Sequence, residues 1–226
     1  MKILIVSATQ NELQPILSKY KFRKQNKNGL NVLNFSNRKN SFDLLITGIG
    51  IQNTLFNLTR LLSLQKYTQA INAGIAGSFL FVKEHGKLFQ VTKDIFCDFC
   101  IELPTKIIPM YETHLPVPKN EIITIPVPGF KFPDKKINFD HLEKLTAVTT
   151  ITLGSVIERK HKIKMCFRPA LESMEGAAFF YVCRKFKLPC IQIRSVSNYV
   201  GEQDRKKWAL DLAIKNLNNE LEKLIG

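Results

Sequence analysis

No apolar run in this chain approaches the ~20 residues that a membrane-spanning helix requires. The first apolar segment, Ile3-Leu4-Ile5-Val6, is too short for the core of a secretory signal and reads as a strand. The chain is therefore expected in the cytoplasm, with no membrane partner. Internal repeats, low-complexity tracts and an interdomain linker are also missing, so the 226 residues read as a single domain, 1–226. A disulfide framework is disfavoured by the odd number of cysteines, which stand at 97, 100, 166, 183 and 190. Cys97-Asp98-Phe99-Cys100 has metal-like spacing, but no second pair follows at zinc-site spacing, and a structural zinc wants four ligands. The pair lies in an apolar stretch and reads as packing. No metal and no cofactor is expected.

What the chain does have is positive charge, +14 in all, and that invites a nucleic-acid reading. The basic residues are spread over Lys19–Lys27, Lys131–Lys136, Arg159–Lys164, Arg184–Lys187 and Arg205–Lys207. No block dominates and no nucleic-acid motif accompanies them, so they read as a solvated surface. Strand and helix signals alternate. Lys2–Ala8, Phe42–Ile49, Gln69–Ala76, Leu88–Phe99 and Leu145–Leu153 read as strands. Gln10–Tyr20, Gln52–Leu64 and Asp204–Leu224 read as helices. In the last of these Leu210, Ala213, Ile214, Leu217, Leu221 and Leu224 form one stripe. Leu103–Lys136 is proline-rich and irregular, with one strand at Ile122–Val127. This alternation predicts an α/β fold with a central mixed, mostly parallel sheet flanked by helices. Its ligands belong in the crevice at the strands' C-terminal ends.

The chemistry concentrates between Glu172 and Trp208, which reads as a helix, a turn at Leu188-Pro189, a buried strand and a polar loop. Glu175 stands near the helix start, where a carboxylate also complements the helix dipole. Asn198 stands where the apolar strand gives out, which is also a turn position. Glu12 is the other candidate. Thr9-Gln10-Asn11-Glu12 has capping-box spacing, yet the loop follows the first strand and so enters the same crevice. Local sequence leaves both readings open. Thr47-Gly48-Ile49-Gly50 and Asn72–Ser78 each end a strand with glycines; the first lacks the third glycine of a dinucleotide fingerprint. Arg194 lies on a buried-looking strand and needs a partner, expected to be a carboxylate near the site.

The blocks SMEGAAFFYVC and IRSVSN, with KILIVSATQNEL, LLITGIGIQN and NAGIAGSF, resemble the purine nucleosidase/nucleoside phosphorylase superfamily. Within it they are most similar to the futalosine hydrolases, relatives of the methylthioadenosine/S-adenosylhomocysteine nucleosidases. The resemblance runs nearly end to end and implies a nucleoside phosphorylase-like fold, a small-molecule nucleoside substrate and a homodimer. It implies that Glu12 activates water, that Glu175 holds the ribose beside Met174, and that Asn198 binds the departing base. Ile49, Gly50, Arg194 and Ser197 are carried along as substrate-binding positions. Trp208 is expected to wall the 5′ side, unless it only packs on the last helix. One departure is Ile75, which stands where the adenine-releasing relatives carry a serine.

The implied reaction is hydrolysis of the N-glycosidic bond of futalosine, releasing hypoxanthine, in the futalosine route to menaquinone. An adenine-releasing nucleosidase would want an acid in place of Asn198. A phosphorylase would want cations around the first loop, where SATQNEL offers a carboxylate and no arginine. A basic nucleic-acid-binding protein on a degenerate enzyme fold is the alternative of a different class.

Overall fold

The computed structural model describes residues 1–36, 41–80, 84–115, 117–132, 138–152 and 157–226. Residues 116, 133–136 and 153, which belong to the predicted loop, basic stretch and strand, lie outside the described set. The architecture starts from strand β1, Lys2–Ser7, an uninterrupted apolar run. Side chains alternate across a strand, so such a run is stable only with both faces covered. Leu4 and Val6 enter a core with the helices α2 (Ile51–Leu64) and α5 (Gly176–Lys185). Ile3 and Ile5 enter a second core with α1 (Gln14–Lys19) and α6 (Leu210–Ile225). The sheet is thus sandwiched between two helical layers.

β1 lies between β4 (Ser41–Ile46) and β5 (Gln69–Ser78), parallel to both. β5 is followed across the sheet by β12 (Cys190–Tyr199), β6 (Leu88–Phe96), β10 (Glu143–Thr149) and β11 (Leu171–Ser173). β11 pairs back onto β5, with Leu171 opposite Ser78 and Glu172 opposite Gly77. These five strands therefore close into a ring. On the far side, β3 (Leu30–Ser36) and β2 (Arg23–Lys27) extend the sheet as a hairpin turned at Asn28-Gly29. Asn-Gly is a strong hairpin signal. A two-residue strand, β9 (Ile123–Thr124), pairs with β6. β7 (Cys100–Glu102) and β8 (Ile107–Pro109) form a separate hairpin.

The α/β sandwich agrees with the sequence, but the sheet is not mostly parallel. Of its pairings among the described residues, five are parallel and five antiparallel. The hairpin and the return of β11 supply most of the difference. Several boundaries also move. The first helix opens as a 3-10 turn, Asn11–Leu13, before α1. The expected strand at Ile122–Val127 shrinks to β9, because Ile122 ends a one-turn helix, α3 (Lys119–Ile122). The last helix begins at Leu210. Asp204 instead caps a short turn at Arg205–Lys207, accepting from the Lys206 N–H. Basic α4 (Ile157–Phe167) was not foreseen. Part of its charge is answered locally: Arg159 pairs with Asp98 and Glu102, and Lys162 with Glu102. The five cysteines are free thiols. Among the described residues no helix is long and apolar enough to cross a membrane.

The start of α5 is anchored from beneath by a buried polar cluster. The Thr149 hydroxyl donates to Asp94 at 2.8 Å and accepts from the Ala177 N–H at 2.8 Å. Gln192 donates to the other Asp94 oxygen at 2.8 Å. Burial pushes the Asp94 carboxyl up to about 6, against the hydrogen bonds that favour its charge. Gly176 lies directly over this cluster, and a Cβ there would stand 2.6 Å from the Gln192 amide and closer still to Asp94. Gly176→Ala is therefore expected to lower stability by about 1–3 kcal/mol, the usual cost of overpacking a tight core. The denaturant midpoint should fall without a change in slope; an unmoved midpoint would show that the cluster yields freely.

Candidate active site

Four strand ends converge where β1, β5, β11 and β12 give way to loops. The cavity there has a volume of about 310 Å³. Glu12, Ile49, Met174, Glu175, Ser197, Asn198 and Trp208 all line it, although they are far apart in sequence. Sequence reasoning named each of these seven. Gly50 and Arg194 do not line it.

Glu12 is held by donors from two strands. Its Oε2 accepts from the Ser7 hydroxyl at 3.0 Å, the Thr9 N–H at 2.9 Å and the Thr9 hydroxyl at 3.1 Å. Its Oε1 accepts from the Ile75 N–H at 3.1 Å. The Glu12 N–H donates back to the Thr9 hydroxyl at 3.4 Å, so the capping box is also present. The two local readings of Glu12 are not exclusive. The backbone donor from Ile75 also accounts for an apolar side chain at that position, since the contact to Glu12 needs no hydroxyl.

Glu175 is the residue that precedes the first turn of α5; its side chain makes no capping bond to that helix, and its Oε1 accepts from the Gly50 N–H at 3.0 Å. Gly50 thus acts on the carboxylate, behind the cavity wall. Burial pushes the Glu175 carboxyl up, opposed by the field of Arg194 and the Gly50 hydrogen bond and aided by the nearby Glu12. Arg194 is almost fully buried beneath the site. Its guanidinium donates to the Asn72 side-chain carbonyl. That partner corrects the expected carboxylate: no carboxylate lies in ion-pair range of Arg194 among the described residues. Arg194 acts on the cavity through its charge, not as a wall.

Asn198 is placed by a bulge in β12, which shifts the register against β5 between Val196 and Asn198. Bulges of this kind re-aim a side chain next to a site. The Ser197 hydroxyl donates to Asn198 Oδ1 at 2.8 Å, and Asn198 Nδ2 donates to the Tyr199 carbonyl at 3.0 Å. This pairing fixes which end of the amide is which. One Nδ2 hydrogen and part of Oδ1 remain for a ligand. Trp208 stands in the loop ahead of α6 rather than on the helix, with its indole N–H donating to the Glu202 carbonyl at 3.1 Å. Leu210 and Ile214, expected in the helix's core stripe, are turned to the cavity instead. Glu172 and Ser173 also line it and were given no role from the sequence. A second polar residue three positions before Glu175 was the available signal.

Asn218 of α6 ties the Glu12 segment to the helical layer. Its Nδ2 donates to the Glu12 carbonyl at 2.7 Å, and its Oδ1 accepts from the Ile16 N–H at 3.3 Å. Asn218→Leu leaves both buried backbone groups unpaired, and the expected loss is about 1–3 kcal/mol for each group so stranded. Thermal and denaturant unfolding read this directly; a variant as stable as the parent would contradict it.

Comparison with known proteins finds relatives along most of the chain. A family model described as the phosphorylase superfamily matches residues 144–226. An aminodeoxyfutalosine nucleosidase of Campylobacter jejuni is 28% identical over 214 residues, 90% of this chain and 88% of that protein. A 5′-methylthioadenosine/S-adenosylhomocysteine nucleosidase of Buchnera aphidicola is 24% identical over 220 residues, 95% of this chain and 86% of the relative. Among solved structures, the futalosine hydrolase of Helicobacter pylori superimposes with a TM-score of 0.78 at 18% identity, covering 99% of this chain and 98% of that one. The 5′-methylthioadenosine/S-adenosylhomocysteine nucleosidase of Campylobacter jejuni gives 0.77 at 23% identity, covering 99% and 100%. The fold is the nucleoside phosphorylase-like α/β fold of these structures.

Proposed function

We propose that this N-glycosidic hydrolase, a relative of the nucleosidases of the phosphorylase superfamily, cleaves futalosine with water and releases hypoxanthine and dehypoxanthine futalosine. The observation that carries the choice of substrate is Asn198, an amide at the cavity wall with one donor and one acceptor to offer. In the transition state of glycosidic cleavage the sugar approaches an oxocarbenium ion and the base gathers negative charge. When N7 of a 6-oxopurine takes up a proton, its edge presents a donor at N7 and an acceptor at O6. An amide complements both. A 6-aminopurine with N7 protonated presents two donors, which suits a carboxylate. The amide matches adenine only before N7 is protonated, and binding that weakens in the transition state does not speed the reaction.

In this reading Glu12 is the general base toward water, fixed by its four donors so that little reorganisation accompanies proton transfer. Glu175, with one oxygen on the Gly50 N–H, offers the other to the ribose hydroxyls, and its charge stabilises the cationic sugar ring. Met174 packs against the sugar, while Ile49 and Trp208 stand on the apolar rim toward the 5′ side. No cofactor or metal takes part. The physiological setting would be the futalosine route to menaquinone, in the cytoplasm, with the enzyme as a homodimer. Release of adenine is the second reading, favoured by the names of the two sequence relatives. Asn198 is the residue that speaks against it.

Three outcomes test the proposal. Glu12→Gln should lower kcat by ~10²–10⁴-fold, the usual contribution of a general base, with binding of product analogues little changed. Near-normal turnover would reduce Glu12 to a cap. Asn198→Asp should lose at least about tenfold on futalosine, the equivalent of one mismatched buried hydrogen bond, and shift preference toward 6-amino substrates. An unchanged ratio of 6-oxo to 6-amino activity would leave Asn198 a turn residue. Hydrolysis should also proceed unaltered without phosphate; a sugar 1-phosphate product would move the enzyme to the phosphorylases.

A further inference from the structure

Asn198 can accept a proton's hydrogen bond, but an amide is no acid, so the proton that reaches the departing purine needs another source. The strand register supplies a candidate. Gly77 of β5 is opposite Asn198 of β12 on one side and opposite Glu172 of β11 on the other. Glu172 and Asn198 therefore flank the same glycine, and all three line the cavity. A Cβ on Gly77 would stand 3.4 Å from Asn198 Nδ2 and 3.0 Å from Val200, so the glycine keeps the floor between the two side chains open. The ring closure of β11 onto β5 is what brings the carboxyl to this place.

We propose that Glu172 is the general acid of the reaction, protonating N7 of the leaving purine from across Gly77 while Asn198 holds the same edge of the base. The inference rests on the nucleosidase reading of the site. In the step, the C1′–N9 bond breaks and its electron pair stays with the base. The Glu172 carboxyl proton passes to N7, so the base departs neutral. Water adds to C1′ and gives its proton to Glu12. The cycle ends with Glu172 ionised and Glu12 protonated, and exchange with solvent restores both. After transfer, the new N7–H lies between the Glu172 carboxylate and Asn198 Oδ1.

The surroundings of Glu172 suit an acid that must be protonated at neutral pH. It is nearly enclosed, and burial pushes its carboxyl up to about 7. Lys160 and Arg159 of α4 pull it down, and Asp98, after β6, pushes it up. Lys160 is itself buried, so its charge bears on Glu172 through little water. A carboxyl that titrates near the working pH is what general-acid catalysis favours. Lys160 is a positioning residue here: it touches no substrate and sets the acid's range.

The test is the pH dependence of kcat for purified full-length enzyme on futalosine. Wild-type kcat should fall as pH rises through about 7, because the ionised Glu172 has no proton to give. Glu172→Gln should lower kcat at least ~10²-fold at neutral pH and abolish that alkaline limb. Lys160→Met keeps the acid and removes the cation that favours its ionised form, so its alkaline limb should move to higher pH. That variant reads Glu172 even if the glutamine variant fails to fold. A Glu172→Gln enzyme with wild-type kcat and an intact limb overturns the proposal, as does a limb unmoved in Lys160→Met. If wild type cleaves methylthioadenosine and leaves futalosine intact, the futalosine reading falls alone. The same variants on methylthioadenosine then decide the role of Glu172. A wild type that cleaves neither overturns both.

Discussion

The site depends on the hydrogen bonds that fix the Glu12 carboxylate. Ser7 and Thr9 reach it from the end of β1, and Ile75 reaches it from β5. A carboxylate with this many donors is a rigid bridge between two neighbouring strand ends. Asn218 then binds the Glu12 carbonyl to α6, so the bridge extends into the helical layer. Charge-assisted hydrogen bonds are roughly twice as strong as neutral ones. That bridge fixes where the Glu12 carboxylate stands in the cavity wall.

A second constraint is the concentration of acids in one enclosed space. Glu12, Glu172 and Glu175 all line the cavity, and the charge of Glu12 adds to the cost of ionising Glu175 in a poorly hydrated site. The structure separates them by environment. Glu12 has four donors, Glu175 has the Gly50 N–H and the field of Arg194, and Glu172 has the fields of Lys160 and Arg159. Burial pushes both Glu172 and Glu175 up, and different charges oppose it at each. The chain's positive charge matters here mainly through Arg194 and Lys160, the two buried cations among the described residues. Much of the remainder lies on the surface, where Arg184 and Lys185 pair with Glu121.

The elements with strong periodicity were legible from the sequence. β1, β4, α2, β5 and β12 fall close to where their apolar runs place them, because each run has to be covered on the faces it presents. The seven cavity residues were legible for a different reason: strand ends in an α/β fold gather ligands, and the resemblance to the nucleosidases marked which residues at those ends matter. What was not legible is non-local. The three-residue β11 carries no periodicity of its own, and only its pairing with β5 closes the ring and delivers Glu172. Helix α4 is too basic and its apolar face too sparse to read as amphipathic. The partner of Arg194 depended on which residues β5 places opposite β12, and there Asn72 stands where a carboxylate was expected. The start of α6 was set too early because Asp204 caps the separate turn at Arg205–Lys207, and the helix proper begins only at Leu210.

The central claim is that this cavity hydrolyses a 6-oxopurine nucleoside and selects it through the Asn198 amide. Its most direct measurement is chromatography of the products after the purified enzyme meets futalosine, methylthioadenosine and inosine in separate reactions. The account predicts hypoxanthine from futalosine at enzymatic rates and little adenine from methylthioadenosine. Rapid release of adenine from methylthioadenosine, with futalosine left intact, would contradict it.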